Sequence, residues 1–303
     1  MTRETLLHRL ERPGKRVRAV LDTDAYNEID DQFAIAYFLK KTATFDVQAL
    51  TAAPFSNEKA DDPGEGMRLS YNEILNLLSL MDADNMHDLV FRGSEKYLPD
   101  EKTPVESPAA AELVRLSKES TSDDPLYIIA IGAITNVASA ILIDPSMVEN
   151  CVVVWLGGHA RHWQDTREFN MKQDVAATRV VFDSGIPLIQ LPCMGVVSEL
   201  RTTGPELDHW LGGKNKLCDY LVSHTMEEVA GYADGTAWSR VIWDISAIAW
   251  FLSDTFTKGT VTPTPICEYN NQYSYNPTRH QCKIIESINR DAIFTDLFKT
   301  LVV

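Results

Sequence analysis

Residues 17–31 read VRAVLDTDAYNEIDD, an apolar run that is followed by five carboxylates within ten residues. The apolar run predicts a buried strand, and the apolar spacing after Asp30 predicts a helix. Carboxylates this close repel one another, and a helix start needs only one or two of them. They follow the carboxyl end of a strand, which is where open α/β sheets bind ligands. The stretch therefore favours a site for a hard cation such as Ca²⁺ or Mg²⁺, with a solvated acidic loop and helix cap as the alternative.

Short apolar runs alternate with helical patterns over the first two thirds of the chain, which predicts an α/β fold. We expect an open, mostly parallel twisted sheet with helices on both faces. The strands are expected at Val17–Leu21, Val47–Ala52, Leu89–Arg92, Leu126–Ile131, Val152–Leu156 and Pro187–Leu191. The helices are expected at Asp31–Leu39, Met67–Leu80, Ala109–Ser117, Thr135–Leu142 and Val175–Ser184.

The last third of the chain predicts C-terminal helical and short-strand additions to this sheet. Helices are expected at 215–230 and 241–252, short strands between 261 and 285, and a final helix from Asp291. No stretch has the composition of a linker, so residues 1–303 are expected to form a single domain. Polar loops at 57–66 and 97–108 follow predicted strands and could wall a site.

Composition and charge exclude several classes of partner. The net charge is −15 and Lys and Arg are scattered, which disfavours nucleic acid. The cysteines form no C-x-x-C motif and are expected to be reduced and mostly buried; they are Cys151, Cys193, Cys218, Cys267 and Cys282. The N-terminus is charged and no apolar run approaches about 18 residues, so we expect a cytoplasmic protein without a membrane partner.

Several common catalytic motifs are absent from the sequence. There is no G-x-S-x-G, no H-E-x-x-H and no P-loop, and Gly64-x-Gly66 is not continued by a third glycine. A strand that ends in D-x-D also opens the haloacid dehalogenase phosphatases, in which the first Asp is a phosphorylated nucleophile. That family carries Thr or Val two residues after the second Asp, where this chain has Tyr26. The phosphatase interpretation is therefore disfavoured.

Three further segments contain residues that could complete a cation or ligand site. Residues 131–136, IGAITN, end a strand and start a helix, where a backbone carbonyl could bind a cation or the residues could simply cap the helix. Gly157-Gly158 lets a ligand approach the backbone, and Glu168 and Asn170 could hydrogen-bond a polyhydroxylated ligand. Trp243-Asp244 opens an apolar helix, where Asp244 taken alone would be an ordinary helix cap.

Taken in order, the motifs D-T-D, D-D, G-x-x-T-N, G-G, E-F-N and a late Asp resemble the inosine-uridine-preferring nucleoside hydrolase family over nearly the whole chain. The resemblance implies Ca²⁺-dependent hydrolysis of the N-glycosidic bond of a ribonucleoside or related N-riboside. By this resemblance, Ca²⁺ would be held by Asp24, Asp31, Asp244 and the backbone carbonyl of Thr135. Asp24 would also accept a proton from the attacking water. The ribose hydroxyls would be bound by Asp30, Glu168 and Asn170, and the assembly would be a homodimer or homotetramer.

The chemistry of N-glycosidic cleavage favours the same groups. The reaction passes through an oxocarbenium-like sugar, so it needs nearby negative charge, an activated water and a stabilised leaving base. The acidic cluster supplies the negative charge, and a cation orients water and lowers its pKa. A cation with free coordination positions also suits a cis-diol, which favours ribose over deoxyribose.

The chain departs from the family pattern D-T-D-P-G-x-D-D by an insertion of two residues, so residues 26–28 could enter the site. Asn57 could replace a ribose contact that the family makes after its second strand, and His162 falls where an Asn is expected. Trp243 stands where many members carry a His tied to protonating the leaving base, and it could stack on a purine. The proton donor is therefore unnamed. The alternative is a repurposed homologue that binds metal and ribose-like ligands without efficient turnover.

Overall fold

The computed structural model describes residues 1–233 and 235–303 of the chain. Its strands are β1 (Val17–Thr23), β2 (Phe45–Ala52), β3 (Val90–Arg92), β4 (Leu126–Ala130), β5 (Cys151–Leu156), β6 (Leu188–Leu191), β7 (Arg201–Thr202), β8 (Arg240–Val241), β9 (Thr257–Pro263), β10 (Ile266–Cys267), β11 (Tyr273–Ser274) and β12 (Gln281–Ile288). Its α-helices are α1 (Arg3–Arg9), α2 (Asp30–Lys40), α3 (Pro63–Leu80), α4 (Pro108–Lys118), α5 (Thr135–Ile143), α6 (Phe169–Gln173), α7 (Val175–Asp183), α8 (Gly204–Leu211), α9 (Lys216–Ala230), α10 (Ile245–Ala249) and α11 (Arg290–Leu301).

Eight of the described strands form one sheet in the order β3-β2-β1-β4-β5-β6-β12-β9. Neighbouring strands from β3 to β12 run parallel, and β9 at the edge is antiparallel to β12. The mostly parallel sheet predicted from the sequence is therefore confirmed. The strand order reverses direction between β1 and β4, and such a reversal opens a crevice at the carboxyl ends of the two strands.

The side chains of each strand alternate between two hydrophobic cores, one on each face of the sheet. In β1, Ala19 and Leu21 belong to one core, whereas Val20 belongs to the other. The first core is covered by α1, α2, α3, α8, α9, α10 and α11, and the second by α4, α5 and α7. Burial on both faces explains why the strands are nearly continuous apolar runs in the sequence.

The C-terminal strands contribute more to the main sheet than the sequence predicts. β12 pairs with β6 in parallel and β9 pairs with β12, while β10 and β11 form a separate ribbon. The sequence signal in β9 is weak because none of the residues of this edge strand is fully buried.

Two predicted boundaries differ clearly from the structure, and three helices were not predicted. The helix expected at 241–252 is shortened to α10, because residues 240–241 pair with β7 as a strand. The loop expected at 57–66 contains the first turn of α3, since Asp62 caps that helix by accepting a hydrogen bond from Glu65 N at 2.8 Å. Helices α1, α6 and α8 were not predicted, because five to eight residues show too little helical periodicity.

The cysteines are free and buried, as the sequence predicts. Across residues 1–233 and 235–303, no helix combines the length and the apolar character that crossing a membrane requires.

Candidate active site

The turn between β1 and α2 carries the acidic residues into the interior. Asp22 ends β1 together with Thr23, and Asp30 and Asp31 form the first turn of α2. Asn27 N donates to the carbonyl oxygen of Asp24 at 2.7 Å, which closes the turn between strand and helix. The two carboxylates in the first turn of α2 interact favourably with the partial positive charge at that helix end.

Three carboxylates converge at this turn, and they belong to Asp30, Asp31 and Asp244. Each offers one oxygen that lies within 4.8 Å of the others. Asp24 lies beside this group, and all four side chains are buried. Asp24 Oδ2 and Asp30 Oδ1 have no hydrogen-bond partner within the described part of the chain. Buried carboxylate oxygens without donors are costly unless a cation neutralises them, so this donor set fits Ca²⁺ or Mg²⁺.

The carboxylates of the cluster hold protons strongly when no cation neutralises them. Burial raises the pKa of Asp30 to about 7, with the charge of Glu28 adding to the effect and that of Arg240 opposing it. Burial also raises the pKa of Asp24, Asp31 and Asp244 well above the usual range, and the repulsion between their charges adds to it. A bound cation would favour the charged forms and reverse these shifts.

Neutral hydrogen-bond donors position the carboxylates of Asp22 and Asp31. Asp22 accepts hydrogen bonds from Asn136 Nδ2 at 2.8 Å and from Thr51 Oγ1 at 2.6 Å, although burial still raises its pKa to about 6. Thr23 Oγ1 donates to Asp31 Oδ1 at 2.5 Å. These hydrogen bonds link β1, β2 and α5 next to the cluster. They restrict the orientation of the Asp22 and Asp31 side chains.

Contacts from distant parts of the chain complete the site. Trp243 N donates to Asp30 Oδ2 at 3.0 Å across a sequence separation of 213 residues. Gly132, in the turn before α5, lies against Asp24, because a Cβ at this position would be 2.9 Å from Asp24 Oδ1. The segment 131–136 therefore does reach the acidic cluster, through Gly132.

A cavity of about 260 Å³ opens beside the carboxylates. Seven of the residues predicted for the site line it, namely Asp24, Asp30, Asp31, Glu168, Asn170, Trp243 and Asp244. These residues come from the β1–α2 turn, from α6 and its cap, and from the start of α10, so the fold brings predicted residues from three sequence segments to one place.

Glu168 and Asn170 are held rigidly at the edge of this cavity. Glu168 caps α6, and its carboxylate accepts hydrogen bonds from the backbone N–H groups of Gly158, Asn170 and Met171 at 2.8–2.9 Å. Asn170 Nδ2 donates to the carbonyl oxygens that follow β4 and end β5, both at 3.0 Å. Because both amide hydrogens are used, Asn170 Oδ1 remains as an acceptor for a ligand hydroxyl.

Three predicted residues lie outside the cavity lining. Thr135 begins α5, and its hydroxyl donates to Asp174 Oδ2 at 2.7 Å. Asn57 lies one layer behind the cavity, where its Nδ2 donates to Asn27 Oδ1 at 2.8 Å. His162 is exposed on the loop after β5.

The two-residue insertion does enter the site. Asn27 and Glu28 line the cavity, whereas Tyr26 points outward and is 41% exposed. Lys59 Nζ donates to the carbonyl oxygen of Asn27 at 2.8 Å, and Arg240 Nη2 contacts Glu28 Oε2 at 2.6 Å. The insertion is thus anchored by side chains from two other segments.

His159 is a cavity residue that the sequence analysis missed. It follows Gly157-Gly158 at the end of β5, and side chains at the ends of neighbouring parallel strands meet at one edge of the sheet. The position of His159 directly after a predicted strand could therefore have identified it as a candidate site residue. Lys172 and Cys193 also line the cavity without having been predicted, and Arg167 joins them.

The fold is that of nucleoside hydrolases. A solved plant nucleoside hydrolase, PpNRh1, superimposes with a TM-score of 0.72 at 19% identity, covering 96% of this chain and 100% of that one. An inosine-guanosine nucleoside hydrolase superimposes with a TM-score of 0.73 at 18% identity, covering 94% and 98% of the two chains.

The family model for inosine-uridine preferring nucleoside hydrolases matches residues 19–295, so the chain belongs to this family. It is similar to probable uridine nucleosidase 2 of Arabidopsis thaliana, with 27% identity over 230 residues, 69% of this chain and 68% of that protein. It is also similar to the pyrimidine-specific ribonucleoside hydrolase RihA of Klebsiella pneumoniae, with 27% identity over 184 residues, 57% and 56% of the two chains. The chain is therefore a hydrolase of the N-glycosidase class.

Proposed function

We propose that this protein hydrolyses the N-glycosidic bond of a ribonucleoside or related N-riboside in a Ca²⁺-dependent reaction, releasing ribose and free base. The observation that carries the proposal is the group of three buried carboxylates within 4.8 Å, beside a cavity lined by further polar side chains. A cluster of this kind is unfavourable in an empty core and favourable around a hard cation.

Asp24, Asp31, Asp244 and the Thr135 carbonyl are our proposed ligands to Ca²⁺. The convergence of Asp30 with Asp31 and Asp244 supports a carboxylate site at this place, and the unpaired Asp24 Oδ2 supports Asp24 as a further participant. When bound, the cation supplies Lewis acidity and orients water. Ca²⁺ is favoured over Mg²⁺ because it accepts a larger and less regular set of oxygen ligands.

Asp24 is our proposed general base. Its Oδ2 has no hydrogen-bond donor in the described residues, so this oxygen is available to accept a proton from the attacking water. The other oxygen lies where Gly132 leaves space, because a Cβ at residue 132 would be only 2.9 Å from Asp24 Oδ1. The negative charge of the remaining carboxylates stabilises the positive charge that develops on the sugar as the bond to the base breaks.

The ribose is proposed to bind through Asp30, Glu168 and Asn170. Asn170 offers a fixed acceptor, and Asp30 Oδ1 is a second acceptor, which has no hydrogen bond within the described residues and lies 3.9 Å from Arg240 Nη2. Asn27 supports the assignment, because Asn57 occupies its Oδ1 and leaves its amide hydrogens free to donate. In this arrangement Asn57 orients Asn27, which in turn binds the sugar. His162 stays a proposed substrate contact from the loop after β5.

The test is release of reducing sugar from a panel of ribonucleosides, deoxyribonucleosides and p-nitrophenyl riboside, with and without EDTA. We expect turnover of ribosides, loss of turnover in EDTA and recovery when Ca²⁺ is returned. Hydrolysis that EDTA does not affect would contradict the metal assignment. Sedimentation of the same preparation tests the homodimer or homotetramer that we also propose.

A second candidate is a homologue that binds the cation and ribose-like ligands without efficient turnover. It is favoured by Trp243, which lines the cavity in the place where many family members carry a histidine. Binding of Ca²⁺ and ribose by calorimetry, together with no sugar release from any substrate of the panel, would support this candidate instead.

A further inference from the structure

The departing base needs a hydrogen-bond donor, because the electron pair of the broken C1′–N bond moves onto its ring. Nothing in the acidic half of the cavity supplies one, since the carboxylates only accept. Among the described lining residues, donors outside the acidic cluster and its insertion are carried by His159, Arg167, Lys172 and Trp243. The identity of the donor therefore depends on which of these side chains is held in place and turned toward the cavity.

The His159 ring is held by contacts on two sides. Its Nδ1 accepts a hydrogen bond from Met194 N at 3.3 Å, and the ring packs edge-on against Trp163 with 6.0 Å between the centroids. A backbone N–H can only donate, so Nδ1 carries no proton and the proton of the neutral ring is on Nε2. Burial lowers the pKa of His159, which keeps this neutral form dominant near pH 7.

The backbone beside His159 is fixed to the proposed ribose site. Gly158 N donates to Glu168 Oε2 at 2.9 Å, and Cys193 N donates to the carbonyl oxygen of Gly158 at 2.8 Å. Gly158 has a φ of +73°, and a Cβ there would lie 2.3 Å from Tyr273 Oη. The backbone conformation after β5 is therefore restricted at Gly158. This restriction places His159 next to the Glu168 carboxylate, which we propose binds the sugar.

The two cationic residues are less suited to the role. Arg167 is exposed and its guanidinium is paired with Asp165 Oδ2 at 2.9 Å. Lys172 is exposed on α6, and its ammonium lies over the Phe169 ring, 5.4 Å from the ring centroid. His159 is partly buried and lies within the cavity wall.

We propose that His159 donates a hydrogen bond through Nε2–H to the departing base, and so supplies the donor that the sequence left unnamed. The inference rests on the proposed hydrolase function. As the C1′–N bond breaks, its electron pair moves to the base and the water oxygen bonds to C1′. Asp24 accepts one proton from that water and then releases it to solvent, while the other water proton stays on the new sugar hydroxyl. The base gains one proton from solvent, so the protons balance. His159 keeps its own proton throughout.

The experiment compares two substrates that differ in how much the leaving group needs a donor. Inosine releases a basic anion, whereas p-nitrophenyl riboside releases p-nitrophenolate, which is stable without a hydrogen bond. We expect His159→Ala to lower kcat for inosine about 100-fold, the usual effect of losing one transition-state donor, with little change for p-nitrophenyl riboside. His159→Gln keeps an amide donor and should recover part of the lost rate.

His280→Gln is the matched control, because His280 is also a partly buried histidine and lies outside the cavity lining. It should leave both rates unchanged. An equal loss for the two substrates in His159→Ala, or no loss for inosine, would overturn the inference. If His159→Ala does not fold, the split between substrates in His159→Gln decides it. Failure of the proposed function has a different result, in which the wild-type protein releases sugar from neither substrate.

Discussion

Asp24 combines burial, an oxygen without a hydrogen bond in the described residues, and a pKa that burial and the charges of Asp31 and Asp30 raise. We expect Asp24→Asn to lower kcat about 1000-fold or more, because general-base catalysis and part of the cation site are lost together. Sugar release from the best nucleoside of the panel measures the effect. Asp88→Asn is the control, since Asp88 is an exposed carboxylate far from the cavity lining. Activity near the wild-type level in Asp24→Asn would show that another group activates water.

Gly132 tests whether the position of Asp24 matters as well as its charge. A methyl group at residue 132 would lie 2.9 Å from Asp24 Oδ1 and 3.0 Å from Ala53 Cβ, so Asp24 must move. We expect Gly132→Ala to lower kcat about 100-fold, as a displacement of about 1 Å in a catalytic group does. The control is Gly231→Ala, whose Cβ meets its nearest atom at 3.4 Å. Unchanged kcat in Gly132→Ala would place the catalytic oxygen elsewhere.

At the scale of single residues, the sequence predicts what is local. Asp24, Asp30 and Asp31 lie within eight residues, so their charge density is visible without a fold. Asp244 has the sequence context of an ordinary helix cap, and the family resemblance alone linked it to the cluster. Arg240 could not be predicted, because its partners Glu28 and Asp30 are distant in sequence and only the fold brings them together.

Among the elements, the β1–α2 turn is the one that differs from the family pattern. Asn57 and Lys59 hold its inserted Asn27 from the loop after β2. We expect Asn57→Ala to raise KM for ribosides about fivefold, the effect of losing one hydrogen bond, while the affinity for Ca²⁺ stays constant. Titration calorimetry with Ca²⁺ and steady-state kinetics separate the two quantities.

Asn85→Ala serves as the control for this variant, because Asn85 is exposed and is not among the residues that line the cavity. A loss of Ca²⁺ affinity in Asn57→Ala would instead mean that the turn supports the cation site and that Asn27 does not bind the sugar.

The predictability of the elements follows their length and burial. Long buried elements such as β1, β5 and α2 were predicted within a few residues, because both faces of a parallel strand are apolar and a long helix shows its period. α10 is shorter than predicted because β8 takes the residues before Trp243 into a pairing with β7. That pairing depends on a partner about 40 residues away, which no local pattern contains.

For the whole molecule, the carboxylate cluster predicts how stability depends on pH. The pKa of Asp30 is raised by burial to about 7 and that of Asp22 to about 6. The folded protein therefore binds protons that the unfolded chain, with its lower carboxyl pKa values, does not yet bind. In EDTA, we expect the free energy of unfolding to rise as the pH falls from about 7 to about 5.

Urea unfolding at several pH values measures this dependence. With saturating Ca²⁺ the sign should change, because the cation favours the charged carboxylates and protons compete with it for the site. Stability in EDTA that falls over the same pH range would contradict the raised pKa values.

The order of strands in the whole sheet was only partly accessible from the sequence. Alternating strands and helices predict a parallel sheet, but the insertion of β12 between β6 and β9 depends on pairing between segments from different parts of the chain. The two hydrophobic cores were equally inaccessible. The sequence shows that Leu21 is apolar, but it does not show which helix packs against it.

The hydrogen bond from Trp243 N to Asp30 spans 213 residues, and this has a consequence for how the protein is made. While the ribosome is still adding residues before Asp244, the nascent chain already exposes the acidic turn but lacks the segment that completes it. With Asp244 as a proposed ligand, the proposed cation site of a newly synthesised chain is therefore complete only near the end of translation. Any truncated product that ends before α10 is expected to be an inactive chain with an unneutralised acidic turn, and a substrate for cellular proteases.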